Sequence, residues 1–388
     1  MSGIVLSASV RQNLLSLQST ADLLSTTQNR LATGKKVNTA LDNPTNFFTA
    51  QGLNNRANDI SNLLDGIGNG VQVLQAANTG ITSLQSLVET AKSIANQVLQ
   101  TTVGYSPKST VSSTAALGGT AANLVDGVTI KSGDVLAIAA TGGGTATSIT
   151  FGANESLAQL NATLAANNLS ASLDNSNKLV ITTTNDAASS TIGAVTYTNT
   201  GGGTATFGAV AAPVADPSSQ AIRSNLVSQY NNIIAQITTT AQDASFNGIN
   251  LLNGDNLKLT FDETGKSTLN ITGVTYDATG LGLTTLVSGT NFLDNNSANA
   301  TIARLTNASN ALRSEASTLG SNLSVVQIRQ DFSKNLINVL QTGASNLTLA
   351  DSNEEAANSQ ALSTRQSIAV SALALANQSQ ASVLQLLR

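Results

Sequence analysis

Residues 10–31 read VRQNLLSLQSTADLLSTTQNRL, and the spacing inside that stretch decides the fold. Val10, Leu14, Leu17, Ala21, Leu24, Gln28 and Leu31 step alternately by four and three residues. A mean period of 3.5 lays them along one seam of a helix, the pattern by which helices wind around each other. Gly34 follows the last seam position and can take the left-handed conformation that ends a helix. Asp42-Asn43-Pro44 then restarts one. Asn43 can cap, and Pro44 suits the first turn, where its missing N–H costs nothing.

Working outward, the helical period resumes over residues 45–104. Ile60, Leu64, Ile67, Val71 and Leu74 form one seam, and Ala77, Ile81, Leu84, Val88, Ala91, Ala95 and Val98 continue it after a three-residue shift. Such a shift overwinds a supercoil locally without ending it. A helix of that length spans about 85 Å. Composition changes at Gly104-Tyr105-Ser106-Pro107, and residues 106–215 are rich in Gly, Thr, Ala and Ser. Val128-Thr129-Ile130 and residues 178–182 alternate like strands, residues 156–164 have a short helical period, and Gly142–Gly144 and Gly201–Gly203 mark turns or flexible joints. Helical spacing returns at Ile222, Leu226, Tyr230, Ile233 and Ile237. Leu257, Leu259 and Phe261 then alternate, Asp262–Gly265 turn, and Leu269 and Ile271 alternate back as a hairpin. Ile302, Leu305, Ser309, Leu312, Ala316, Leu319, Leu323 and Val326 announce a second long helix. In residues 352–388 apolar side chains cover most of the helix circumference, which calls for partner helices on several sides.

The expected architecture is therefore mainly α. Long coiled-coil helices come from both chain ends, with a β-hairpin and a central β-rich α+β insert. Expected domains are 1–44 with 351–388 as a terminal coiled-coil domain, 45–105 with 216–350 as a helical rod with the hairpin, and 106–215 as an exposed insert. The simplest closure pairs the first helix with the last.

Composition narrows the function. Only 10% of residues are charged against 41% hydrophobic, with a formal net charge of −4. Neutral polar faces of this kind do not repel when copies stack. The chain has no Cys and no His, which removes disulfides, thiolate chemistry and the commonest general base and metal ligand. An HExxH zinc site has no ligands here. No catalytic residues, cofactor or metal are expected. There is no basic patch for nucleic acid and no apolar run long enough to span a membrane. The N-terminus lacks the form of a Sec signal peptide. Asp351, Glu354 and Glu355 precede the last helix, where acidic charge suits the helix dipole. Lys35 and Lys36 beside Asp42 fit either a contact patch or a solvated helix end.

Several motifs carry a resemblance. Leu31-Ala32-Thr33-Gly34-Lys35-Lys36-Val37-Asn38 followed by Asp42-Asn43-Pro44, then Phe246-Asn247-Gly248-Ile249-Asn250-Leu251-Leu252, then Ala376-Asn377-Gln378 and the closing Val383-Leu384-Gln385-Leu386-Leu387-Arg388, resemble the ends of bacterial flagellins. The likeness covers about residues 1–104 and 217–388, and only loosely Ile149–Thr184. It implies a filament subunit for swimming motility, with the hook–filament junction protein as the alternative within the family. The implied self-assembly seam is Val10, Leu14, Leu17, Ala21, Leu24 and Leu31 with Leu362, Ala369, Ala372, Ala376, Val383 and Leu386. Implied partners are further copies of the chain, a flagellar export chaperone, the type III export apparatus, and the filament cap and hook-junction proteins, in an extracellular filament. Enterobacterial-type flagellins carry an Arg-bearing helical segment gripped by the innate flagellin receptor. The similar stretch here is Val88–Ala95, with Thr90 at the Arg position, which implies weak receptor binding.

Overall fold

The computed structural model describes residues 8–386. Six helices and eight strands follow in the order α1 (Ala8–Thr33), α2 (Pro44–Gln100), β1 (Thr110–Ser112), β2 (Val135–Ile138), β3 (Thr147–Thr150), α3 (Leu157–Leu164), β4 (Leu169–Leu173), β5 (Leu179–Thr183), β6 (Val195–Thr198), α4 (Pro217–Asp243), β7 (Leu257–Thr260), β8 (Thr268–Ile271), α5 (Asn295–Thr348) and α6 (Ser352–Leu386). The fold is mainly helical with a small β-rich insert, as its periodicities require. Contacts divide the described residues into two units, one within 8–69, 259–269 and 325–386, the other of 70–258 and 270–324.

In the first unit α1 stops where its sequence says it must. Gly34 has φ +68°, and the next helix opens at Pro44 with the Asn46 amide donating to Asn43 Oδ1 at 3.0 Å. α1 packs against α6. The first part of α2 packs on the last part of α5 through Ala57, Ile60 and Leu340, with Leu53, Leu336 and Ile337 around them. The hairpin tip is pinned to both long helices. Arg56 on α2 reaches Glu263 at 2.7 Å, and Arg329 on α5 stacks over the Phe261 ring.

In the second unit the α2 seam continues as its spacing predicts: Ala77, Ile81, Leu84, Val88, Ala91, Ala95 and Val98 are all buried. The α4 seam differs by one position from the sequence reading. Ile222 is exposed and Ile233 only half-buried, and the buried positions are Ser219, Arg223, Leu226, Val227, Tyr230, Ile234, Ile237 and Ala241. Arg223 owns the place because its guanidinium has carbonyls to fill. Its Nε donates to Thr102 O at 2.7 Å, Nη1 to Phe292 O at 2.6 Å, and Nη2 to Val98 O and Thr101 O at 3.0 and 2.9 Å. Val98 lies in the last turn of α2 and Thr101 and Thr102 just beyond it, so Arg223 gathers the carbonyls where that helix ends, adding to the Thr101 amide and hydroxyl that Val98 O also accepts.

The insert is two three-stranded sheets, β1-β5-β4 and β3-β2-β6, every pairing within them antiparallel. α3 starts on a capping box of Ser156 and Gln159. Its Asn161 side chain takes both the N–H and the C=O of Ala171 on β4. Leu124, Ile130, Leu136, Phe151, Leu160, Leu164, Leu179 and Ile181 form the enclosed core. One sequence expectation is corrected here and another narrowed. Val128–Ile130 is not a strand: the Asp126 carboxylate accepts the amides of Val128, Thr129 and Ile130 at 2.7, 2.6 and 3.1 Å and curls the segment into a turn. Of the two readings of Gly201–Gly203, the turn holds and the flexible joint does not: the Gly202 amide closes on Asn199 O, and the loop wraps on the buried Asp134 carboxylate, which accepts the Gly201 amide at 2.8 Å. A Cβ on Gly203 would stand 2.1 Å from Asp134 Oδ2, so only glycine allows that approach. The insert is tied to the start of α5 by Ser189 Oγ donating to Asp294 at 2.6 Å.

Candidate assembly surfaces

The α1–α6 pair is fixed at its base by the backbone. The Lys36 amide donates to Thr348 O at 2.7 Å, and the Ala350 amide returns to Gly34 O at 2.9 Å. An ion pair follows in the first turn of α6: Arg30 Nη1 lies 3.3 Å from Glu355 Oε1, with Glu355 only 7% exposed. Asp351 caps α6 by accepting the Asn353 amide at 2.9 Å. Beside these, Asp42 accepts the amides of Thr39 and Asn38, which hold its carboxyl below the usual range. Lys35 and Lys36 are exposed. The α1–α2 connection is therefore a braced loop.

Above that base the α6 residues turned toward α1 are Glu355, Ser359, Leu362, Gln366, Ala369, Leu373 and Ala376, an unbroken four–three alternation. On α1 the buried and half-buried positions are Val10, Asn13, Leu14, Leu17, Thr20, Ala21, Leu24, Thr27 and Arg30. Of the residues expected to make the seam, Val10 is buried, and Leu14, Leu17, Ala21, Leu24, Leu362, Ala369 and Ala376 are half-buried between the two helices. Leu31 and Ala372 lie on exposed faces, and so does Gln28. Val383 and Leu386 fall outside the side chains described. Thr20 and Thr27 are buried, and sequence reasoning missed both. The Thr20 hydroxyl donates to Ser16 O at 2.8 Å, so toward α6 it presents a methyl group.

Pairing α1 with α6 leaves much apolar surface uncovered. Leu15 and Leu23 on α1, and Ile368, Val370 and Leu375 on α6, are all more than half exposed. Among the described residues no three His, Cys, Asp or Glu side chains are grouped to hold a metal, and no helix is long and apolar enough to cross a membrane. On the exposed side of α2, the Thr90 hydroxyl is turned back onto Ser86 O at 2.8 Å. Its neighbour Glu89 accepts from Ser309 Oγ at 3.3 Å.

Residues 5–124 match the bacterial flagellin N-terminal helical region, and residues 302–387 match the bacterial flagellin C-terminal helical region. Among curated proteins, flagellin FljM of Caulobacter vibrioides is 33% identical over 164 residues, 42% of this chain. Flagellin FljK of the same bacterium is 32% identical over the same length. Flagellin A of Rhizobium meliloti is 37% identical over 89 residues, 23% of each chain. The matched stretch spans 59% of the length of the Caulobacter relatives.

Proposed function

Because this chain belongs to the bacterial flagellin family, carrying both of its helical end regions, we propose that it is a structural subunit that polymerises into a flagellar filament. The observation that carries the reading is the open apolar surface on the terminal helices. Ile368, Val370 and Leu375 stay exposed after α6 has paired with α1, and an apolar helix face of that extent needs a further partner. Both family matches and the relatives above are flagellins, which favours a filament subunit over a hook–filament junction protein. The direct test is polymerisation of purified full-length chain onto sheared seeds, read by sedimentation and electron microscopy. Failure to add to seeds contradicts the reading.

Roles follow for the parts. Residues 1–44 with 351–388 form the inner coiled-coil layer of the filament, with Val10, Leu14, Leu17, Ala21, Leu24 and Leu31 and Leu362, Ala369, Ala372, Ala376, Val383 and Leu386 in its seams. Residues 45–105 with 216–350 form the layer around it, and 106–215 face the medium. A chain deleted for 106–215 should still polymerise. The chain is no enzyme, it leaves through the type III export apparatus with a chaperone on its C-terminal segment, and it meets the cap and hook-junction proteins at the filament ends. Thr90 offers one short hydroxyl, already engaged, where a long planar Arg would anchor an interface. Receptor signalling should therefore be weak and should rise in Thr90→Arg.

A further inference from the structure

In the first unit, α2 and α5 spend one face on each other and leave the opposite face bare. On α5 the buried positions Val326, Ser333, Leu340 and Ala344 keep to one four–three seam. A second seam of the same period runs along the far side: Val325, Ile328, Phe332, Asn335, Val339 and Thr342, every one exposed. Ile328, Phe332 and Val339 are 66%, 60% and 67% exposed. On a helix covered from one side only, those positions belong to polar residues. An apolar stripe with a 3.5-residue period fits another helix lying along it.

The outward face of α2 in the same unit has the complementary form. Phe48, Gly52, Asn55, Asp59, Asn62 and Gly66 repeat with the same alternation and are exposed. Nothing lies within 4 Å of a Cβ added at Gly52 or Gly66. The folded chain therefore does not demand glycine there, although glycine weakens a helix interior. Val325, Phe332 and Val339 stand seven residues apart, as do Gly52, Asp59 and Gly66, so a ridge meets notches at equal spacing. Each face is turned away from the α2–α5 contact of its own chain, so the two can meet only between copies. Two different patches joined head to tail give an open polymer rather than a closed dimer.

We infer that the Val325–Phe332–Val339 ridge of α5 docks on the Gly52–Asp59–Gly66 face of α2 in a second copy of this chain. The inference rests on the filament reading and names one of its contacts. The test uses the absence of native cysteine. Full-length Phe332→Cys and Asp59→Cys chains are mixed, polymerised onto seeds and oxidised; the two sites are the midpoints of the stripes and meet whichever way the helices run. A disulfide-linked dimer is expected from the mixed polymer and not from mixed monomer. Phe332→Ser should raise the concentration needed for polymerisation about tenfold, the usual scale for losing a central aromatic anchor. Gly66→Gln should do the same while leaving the monomer's melting temperature unchanged or higher, a split that a purely structural glycine would not give. Polymer that yields no 59–332 dimer, with Phe332→Ser and Gly66→Gln assembling at the wild-type concentration, overturns this contact and leaves the filament reading intact. Wild-type chain that adds to no seed overturns the filament reading itself.

Discussion

In the insert, Leu124, Ile130, Leu136 and Phe151 are wholly enclosed, and the loops around them close on carboxylates that accept several amides each. Along α1 and α6 the contact itself is partly polar, with Thr20, Thr27, Gln366 and Ser359 in it, while Leu15, Leu23, Ile368 and Leu375 face outward. Both regions hold enough apolar side chains for a core, but only the insert buries them within one chain. An apolar side chain left outside a folded chain gains nothing until another chain covers it. The insert is thus complete within one chain, whereas the terminal pair leaves apolar surface that, on the filament reading proposed above, neighbouring copies cover. Separate perturbation of the two regions should therefore give separate failures.

The largest effect is expected from Leu17→Asp. The residue sits half-buried between α1 and α6, and a carboxylate there has no cation to pair with among the α6 seam residues from Leu362 on. Burying an unpaired charge costs several kcal/mol, against a contact that is weak in one chain. Polymer mass by sedimentation should fall to background while the insert keeps its melting transition. Filaments of normal length from this variant would break the comparison at its root.

Arg223→Met tests the helical part of the second unit, where burial is likewise completed within one chain. It leaves four backbone carbonyls without the donor they share. Removing a buried, fully hydrogen-bonded ionic group costs about 3 kcal/mol or more. The second unit should lose that much in denaturant unfolding. A loss under about 1 kcal/mol would mean that water replaces the guanidinium at little cost.

Limited proteolysis sharpens the contrast without mutation. In dilute monomer α1 and α6 should be trimmed first, roughly the outer 40 residues at each end, because local opening exposes helices held by few apolar contacts. The insert should survive the same exposure, and in polymer the ends should be protected. Equal resistance of the ends in both states would show that the pair needs no neighbour.

How far the sequence shows this difference depends on what each region is made of. Periodic helices are legible: Ala77, Ile81, Leu84 and Val88 are buried as their spacing requires. Ends are legible where the chemistry is local, as with Gly34, Asn43 and Pro44. The α1 seam is read one position off in places because Thr20 hides its hydroxyl on its own backbone and packs as an apolar residue. Arg223 was missed because a long cation reads as surface; its one signal is that no other basic residue occurs in α4. The glycine triplet at 201–203 gave no sign of Asp134, nearly seventy residues earlier, because glycine marks a bend without naming what it bends around. The exposed seam of α5 is visible only once the buried seam has been assigned, since both share one period.

The smallest predicted effect separates the regions by pH. In the insert, burial acts to raise the Asp126 carboxyl. It is outweighed by the amide of Val128, the Thr129 hydroxyl and the amides of Gly118 and Thr129, which bring it from 3.8 down to about 2. Asp134 is lowered too: burial opposes this, but the Lys131 amide, the Tyr197 hydroxyl and the Gly201 and Gly203 amides prevail. A carboxyl more acidic in the folded chain than in the unfolded one stabilises the fold at any pH above its unfolded value. That contribution shrinks once pH drops below the unfolded value and is gone when pH passes the folded one. For Asp126 the window therefore runs from about pH 4 down to about pH 2. Solvent still reaches the group, so screening reduces its share to on the order of 1 kcal/mol. The insert's melting temperature should fall by a few degrees across that window. In Asp126→Asn the neutral amide cannot titrate, so the protein should start less stable at neutral pH and follow a flatter slope. An unchanged slope in Asp126→Asn would assign the acid sensitivity to other carboxyls, with Asp134 the next to replace.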